Sequence, residues 1–520
     1  MPLTYNDALE DQPLFDRMEE FSGGADEFTR ATLLAPNVSQ QFLNMIQDDK
    51  GRSKTRPGAD GLGGATLSAA QRVHDLVYFD IPGTERVYAS INASLRSWDG
   101  SAWTTIGAYP FGGNSIVEME QGNNLLYTSD GVNQWRSWDG AAWSAALGAT
   151  AADPPVGATM MAWWTQRMFA AGVASAPDTL YASSIALGAG TGGWVGAANS
   201  LRIGRGEGQS ITAVCGFKGN WLFVGKETSC YIVNADPLAA SMADWYIYRI
   251  GSRVGVVAKR CVLAMVDRIL FLSSDGIRAV IPTEANDLPF EVGPPISQPM
   301  QPWIDRINWA AAAKSVAWRH RQYAFFALPI DAATEPSHVL VLNLRTNAWM
   351  GVWTGWTPTC AETSNFGAVG ERMLFGDSAG FVNQWKDYAS ESIATTFTDN
   401  GVAIQSLGRS RSFHFGEPVN WKDATWGEMR FVTSTSIATV RLYLDGIVAK
   451  SWTQALYDTQ NQLPLSLPFN LAVLTPKTVP LRMDDLREFN EAFLEVESTS
   501  GRTVIANLTM SAFMNTHSDE

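Results

Sequence analysis

The sequence predicts an all-β protein: a β-propeller of six or seven blades followed by a C-terminal antiparallel β-sandwich domain, with a short N-terminal arm. Three observations carry this. First, two near-copies stand forty residues apart, Arg96-Ser97-Trp98-Asp99-Gly100-Ser101-Ala102-Trp103 and Arg136-Ser137-Trp138-Asp139-Gly140-Ala141-Ala142-Trp143. Each reads as a strand, an Asp-Gly turn and a strand returning promptly on a Trp; Gly accepts positive φ freely and Asp tolerates it. Second, a period of about 40 residues is the length of one four-stranded propeller blade. Third, the 520 residues are 46% apolar and only 17% charged, with 20 Trp and 45 Gly. That is the profile of a turn-rich, aromatic-rich β chain, not of a disordered segment.

Composition also excludes function classes. No apolar run reaches the roughly 18 residues of a membrane-spanning helix. The opening Met1-Pro2-Leu3-Thr4-Tyr5-Asn6-Asp7 lacks the basic and then apolar pattern of a signal peptide, so synthesis in a cytoplasm is expected. A formal net charge of −14 argues against a domain that grips nucleic acid, which needs clustered Lys and Arg to neutralise phosphates. It suits a wall past which DNA slides. Cys215, Cys230, Cys261 and Cys360 show no metal-ligand spacing and read as reduced core thiols. No cofactor, metal or catalytic residue is expected.

Taken in order, residues 1–29 form an acidic arm whose apolar spacing (Leu9, Leu14, Phe15, Met18, Phe21) fits one amphipathic helix. Residues 30–388 form the propeller, with early strands in 30–60 as candidates for closing the ring. Within 30–60, Arg52, Lys54 and Arg56 make a basic cluster, read either as a salt-bridge patch or as a contact to DNA or to an adaptor protein. Blade units then follow at Leu76–Trp103, Ile116–Trp143, Met160–Ala182, Ile211–Ile250, Val254–Pro282, Ala317–Trp353 and Met373–Trp385, with a helical interlude near Pro299–Lys314. Turn and core markers recur along them: Trp98, Asp99, Gly100 and Trp103; Trp138, Asp139, Gly140 and Trp143; Asp275 and Gly276; Trp349; and Trp385. Val382-Asn383-Gln384-Trp385 repeats Val132-Asn133-Gln134-Trp135. Residues 389–520 change rhythm. Val440, Leu442 and Leu444 alternate with Arg441 and Tyr443, the pattern of an antiparallel strand with one solvated face.

Two motifs invite chemistry and lack its context. Gly376-Asp377-Ser378-Ala379-Gly380 fits G-x-S-x-G, but apolar strands flank it where a nucleophile elbow needs a strand and then a helix. The Asp-Gly turns approach the S-x-D-x-G-x-x-W boxes of sialidase-type propellers and fall one residue short between Asp and Gly. A carbohydrate-binding or glycosidase-like propeller is therefore the alternative reading.

Three stretches carry a resemblance. They are Asn44-Met45-Ile46 with Lys54-Thr55-Arg56-Pro57-Gly58; Ile250-Gly251-Ser252-Arg253-Val254-Gly255-Val256-Val257-Ala258-Lys259-Arg260 followed by Ile269-Leu270-Phe271-Leu272-Ser273-Ser274-Asp275-Gly276-Ile277; and Tyr323-Ala324-Phe325-Phe326-Ala327-Leu328-Pro329 with Leu342-Asn343-Leu344-Arg345-Thr346-Asn347-Ala348-Trp349. Arg409-Ser410-Arg411-Ser412-Phe413-His414-Phe415-Gly416 with Lys422 to Trp426 is similar too. Together they resemble the β-propeller hub, or nozzle, proteins of short-tailed phages, also called packaged-DNA stabilisation proteins. The resemblance covers roughly residues 30–450. It implies a structural virion protein of the tail that assembles with itself into a ring, typically of six copies, below the portal and adaptor. There it closes the exit channel, retains the genome and docks fibres, spikes or a plug. Packaged DNA would pass without sequence-specific binding.

Overall fold

The computed structural model describes residues 13–514 apart from 65, 81–85, 93, 108–116, 148–153, 185–193, 195–198, 237–238, 240, 284–287, 366–369, 390–393, 417–419, 433–435, 457–476, 484–485 and 487. The protein is all-β, and its first three quarters have the β-propeller character of small antiparallel sheets joined in series. The first sheet holds Val73–Phe79, Arg86–Ile91, Ser94–Trp98 and Trp103–Ile106; the second holds Glu118–Gly122, Leu125–Ser129 and Arg136–Trp138. The third begins at Met160–Trp164, the fourth at Ile211–Phe217, the fifth at Val262–Ala264 and the sixth at Val316–His320. The seventh runs Pro358–Asn365, Glu371–Asp377 and Val382–Trp385 and takes Ala59–Gly61 as its outer strand. First strands of successive sheets pack side by side, and Pro358–Asn365 packs on Val73–Phe79.

Apolar runs explain this packing. Ile269–Ser273 and Tyr323–Leu328 are buried along their whole length, as strands covered on both faces must be. Between the fifth and sixth sheets the expected helical interlude is broken into short pieces: 3-10 turns at Gln298–Met300 and Ala312–Lys314 flank one α-turn at Gln301–Ile304. Pro299 and Pro302 stand within the first two positions of the first two pieces, where a missing N–H costs nothing.

The sixth sheet does not stop at its fourth strand. Gln41–Leu43 joins Ala348–Trp353 in parallel, and the sheet continues through Ser406–Arg409, Ala492–Ser498, Ile437–Leu444 and Ile447–Ala455. The junction needs Gly351: its φ is +73°, and a Cβ there would lie 2.1 Å from the Phe42 carbonyl oxygen. A second sheet, Met45–Gln47, Ser53–Thr55, Val504–Met514, Lys422–Phe431 and Lys477–Arg482, faces the extension. Phe42, Met429, Phe431, Val440, Leu494 and Met510 fill the space between them.

The N-terminal segment corrects an expectation. Leu14–Met18 is a strand, not a helical turn, and pairs antiparallel with Leu508–Ala512. It is only five residues long, too short for a period of 3.6 to be told from a period of 2. Exposed Phe15 and Arg17 alternate with the better buried Leu14, Asp16 and Met18, and partner pairing decided the outcome. Residues 1–12 of the predicted arm lie outside the described residues.

Arg56 takes the salt-bridge reading of the basic cluster. Its side chain is fully buried, so it is not a surface contact for DNA or an adaptor. Its Nη1 and Nη2 hold Asp399 Oδ1 and Oδ2 at 3.0 and 2.6 Å, Nε reaches Asn44 Oδ1 at 3.0 Å, and Nη2 reaches the Thr354 carbonyl at 2.6 Å. The guanidinium sits 4.6 Å from the Trp356 ring and 5.4 Å from that of Trp353. Asp399 accepts two further bonds, from Trp356 Nε1 and the Ala59 N–H. Removing one member strands the other without its partner, so Arg56→Met or Asp399→Asn should each lower unfolding free energy by about 3–5 kcal/mol. Denaturant titration of both variants, and of the Arg56→Met/Asp399→Leu pair, checks this; the pair should lose less than the two single losses added together.

Candidate functional site

The two Asp-Gly repeats form the same turn. Trp98 pairs with Trp103, and Asp99 Oδ1 accepts the Ser101 and Ala102 N–H groups at 2.8 Å each. Trp138 bridges to Trp143, and Asp139 Oδ1 accepts the Ala141 and Ala142 N–H groups at 2.8 and 2.7 Å. Gly100 and Gly140 take φ of +100° and +97°. The indole pairs lean together at 5.5 and 5.3 Å. These backbone bonds favour the carboxylate form and hold Asp99 down at about 2.

The other markers are architectural as well. Asp275 precedes Gly276 in the hairpin of the fifth sheet and binds Arg278 and Ser273. Trp349 and Trp385 are buried and donate to the Ile296 and Pro57 carbonyls. The Val-Asn-Gln-Trp echo marks a shared turn device. Asp130 and Asp377 each accept two turn N–H groups on one oxygen, and the amides of Asn133 and Asn383 bind the other. Ser378 therefore lies in a hairpin between Glu371–Asp377 and Val382–Trp385. In the basic cluster, Arg52 pairs with Asp48 at 2.5 Å, and Lys54 sits half-buried in Ser53–Thr55, opposite Ile46 and Val504.

None of these residues meet at one site. Of the groups that do meet, Lys259 and Arg260 were noted only inside a stretch that carries the family resemblance, and Asp75, Glu118 and Glu120 were not singled out in the sequence. A cavity of about 390 Å³ opens where the first strands converge, lined by Asp75, Glu118, Glu120, Lys259, Arg260 and Glu362 among others. Lys259 and Arg260 belong to a 3-10 turn, Lys259–Cys261, that leads into the fifth sheet. Lys259 Nζ lies 2.6 Å from Glu118 Oε2 and also bonds the Met161 carbonyl. Arg260 donates to the carbonyls of His74, Thr359 and Val117 and stands 3.8 Å from Asp75 and 3.9 Å from Glu118. Two neighbouring residues thus tie the first, second, third and seventh sheets to the fifth.

Burial governs the titration of this cluster. It raises Asp75, against the pull of Arg260, and raises Glu120 from 4.5 to about 7, against the pull of Lys259 and a bond from the Trp163 N–H. It pushes the Cys360 and Cys215 thiols up to about 12, so neither supplies a thiolate at neutral pH. His74 is pushed down to about 4 by burial and by Arg72 and Arg260, and stays neutral. No group of three His, Cys, Asp or Glu side chains among the described residues is placed to hold a metal ion. No described helix is long and apolar enough to cross a membrane.

Comparison with known proteins reaches the fold at most. No protein-family model matches the chain, and no curated protein does. Among solved structures, the WD40 domain of Pan2 from Neurospora crassa aligns at 10% identity and a TM-score of 0.39, covering 65% of this chain and 97% of that one. The WD40 β-propeller domain of Doa1 aligns at 13% identity and 0.37, covering 63% and 96%. YCF48 from Cyanidioschyzon merolae aligns at 9% and 0.38, covering 63% and 98%.

Two outcomes follow from the cavity. Arg260→Met leaves Asp75 and Glu118 without a cation that touches three sheets, and unfolding free energy should fall by about 3–5 kcal/mol in denaturant titration. Glu120 acts in the opposite sense. Its folded pKa lies above its unfolded one, so it contributes nothing when both forms are protonated and an increasing penalty as pH rises from 4.5 to about 7. Glu120→Gln should therefore gain stability relative to the parent across that window, by at most about 3 kcal/mol above pH 7. Melting both proteins from pH 4 to 8 tests this, and parallel curves would contradict it.

Proposed function

We propose that this chain is a structural subunit of a phage tail, one copy of a ring that forms the nozzle, or hub, below the portal and adaptor. In this reading the seven sheets are the blades of a seven-bladed propeller. Ala59–Gly61 closes it by completing the seventh blade, and the two facing sheets of the C-terminal part are a β-sandwich built with help from residues 14–55. The ring, of six copies as in the family it resembles, retains packaged DNA and docks fibres, spikes or a plug. Its place is the virion.

The observation that carries this reading is lateral. The nine-stranded sheet welds propeller and sandwich into one body, and large apolar residues stand exposed in adjacent pairs on outer strands of both. Tyr246 and Ile247 lie on the last strand of the fourth sheet, and Ile447 and Val448 on the last strand of the extension. Adjacent strand residues point to opposite faces, so both faces of these edges carry apolar surface, which suits contact with another chain. The formal charge of −14 on each copy would let DNA pass without gripping it.

Negative-stain images and light scattering of the purified protein test this. The expected result is a closed ring of about six copies, present also on virions. Tyr246→Arg with Ile447→Glu should shift rings to monomers without lowering the melting temperature of the subunit. A strictly monomeric protein absent from virions would sink the proposal.

A further inference from the structure

The cavity where the first strands converge holds one carboxyl group that its neighbours leave open. Lys259 Nζ is paired with Glu118 at 2.6 Å, and Arg260 stands 3.8 Å from Asp75. Glu362, on the same lining, is engaged as well. Glu118 and Glu120 are two residues apart on Glu118–Gly122, so their side chains leave the same face of the strand. Glu120 Oε1 accepts the Trp163 N–H at 3.2 Å, while Oε2 has no hydrogen-bond partner among the described residues. Oε2 is not one of the protein's sealed, unpartnered polar atoms either: it keeps accessible surface, and Glu120 lines the cavity.

These pairings narrow the ligand class. With Lys259 and Arg260 matched to Glu118 and Asp75, the charge left without a partner is that of Glu120, and an anion would be repelled by it. A bare metal ion is poorly served, because hard cations take about six or more oxygens and no group of three His, Cys, Asp or Glu side chains among the described residues is placed to hold one. A primary ammonium carries one charge and three N–H donors on a compact head. The same lining offers a wall for carbon, since Val77, Val262, Ala317 and Ala361 are all partly exposed. The volume of about 390 Å³ lies within the roughly 300–1,000 Å³ of small-molecule sites. We propose that this cavity binds a primary alkylammonium group, its N–H donating to Glu120 Oε2 and its carbon chain lying along Val77, Val262, Ala317 and Ala361.

The proton on Glu120 sets the pH dependence. Burial, with Glu118 and Asp75, raises this carboxyl to about 7, against the pull of Lys259 and the bond from the Trp163 N–H. Arg260 and Glu362 are the other charged groups on the lining. The proton must leave before the ammonium can pair with the carboxylate. Binding therefore strengthens as pH rises through about 7 and levels off above it. The ligand keeps its own charge across that window, because an alkylamine titrates near the lysine value of about 10.4.

Calorimetry and saturation-transfer NMR on the full chain test this with n-butylamine, using n-butanol and butyrate as neutral and anionic controls. n-Butylamine should bind, and its affinity should rise about tenfold from pH 6 to pH 8 as Glu120 ionises. Glu120→Gln, expected to be at least as stable as the parent, should weaken binding at pH 8 by about tenfold or more and flatten the pH dependence. Lysine blocked at both backbone ends separates two sources of the same chemistry. Binding equal to that of n-butylamine assigns the site to a partner's lysine side chain, and exclusion assigns it to a free amine. No binding of n-butylamine at pH 8, equal binding of either control, or an affinity unchanged in Glu120→Gln would each overturn the proposal. Ring formation is read separately by light scattering, so failure of this site leaves the hub proposal standing.

Discussion

Lys259 and Arg260 form the contact on which the arrangement of sheets most depends. A stack of twisted sheets meeting at their first strands brings strand edges and their carbonyls together around an axis, and hydrophobic packing alone leaves those groups unsatisfied. Two cations from one short turn answer several of them at once, bonding the carbonyls of His74, Val117, Met161 and Thr359. Their charges are balanced by Asp75, Glu118 and Glu120, which stand on the first strands of the first two sheets. The same acids that balance the cations pay a desolvation cost, seen in the raised titration of Asp75 and Glu120. Lys259, Arg260, Asp75 and Glu118 therefore form a network that depends on all of its members, to which buried Glu120 adds a desolvation cost.

Arg56 has the same role at the seam between the two halves. It draws together Asn44, Thr354, Asp399 and two indoles. The chain passes from the sheet that faces the extension into the seventh sheet within a few residues of it, since Ser53–Thr55 belongs to one and Ala59–Gly61 to the other. With Gln41–Leu43 bridging the sixth sheet to the extension, the N-terminal segment stitches both halves.

Legibility in the sequence followed contact distance along the chain. The Trp98–Trp103 and Trp138–Trp143 turns were readable because both partners and the capping Asp lie within six residues. The all-β character was readable from runs such as Ile269-Leu270-Phe271-Leu272, whose burial follows from their own composition. For Arg56 a salt bridge was one of two readings, but its partner was not readable, because that carboxylate lies 343 residues away. Nor was the cavity, whose walls come from five sheets. The Leu14–Met18 strand was misread as helix because an isolated five-residue segment takes the conformation its partner offers.

Local chemistry, then, settled most of which segments are strands and where they turn. Turn geometry and apolar runs depend on neighbours that the chain itself places close by. Three-dimensional packing decided which charges are buried and which face a cavity, because desolvation and pairing depend on groups brought together from distant sheets. Arg56, Lys259 and Glu120 look like ordinary charged residues when read in sequence. Their roles exist only where Asp399, Glu118 and Trp163 meet them.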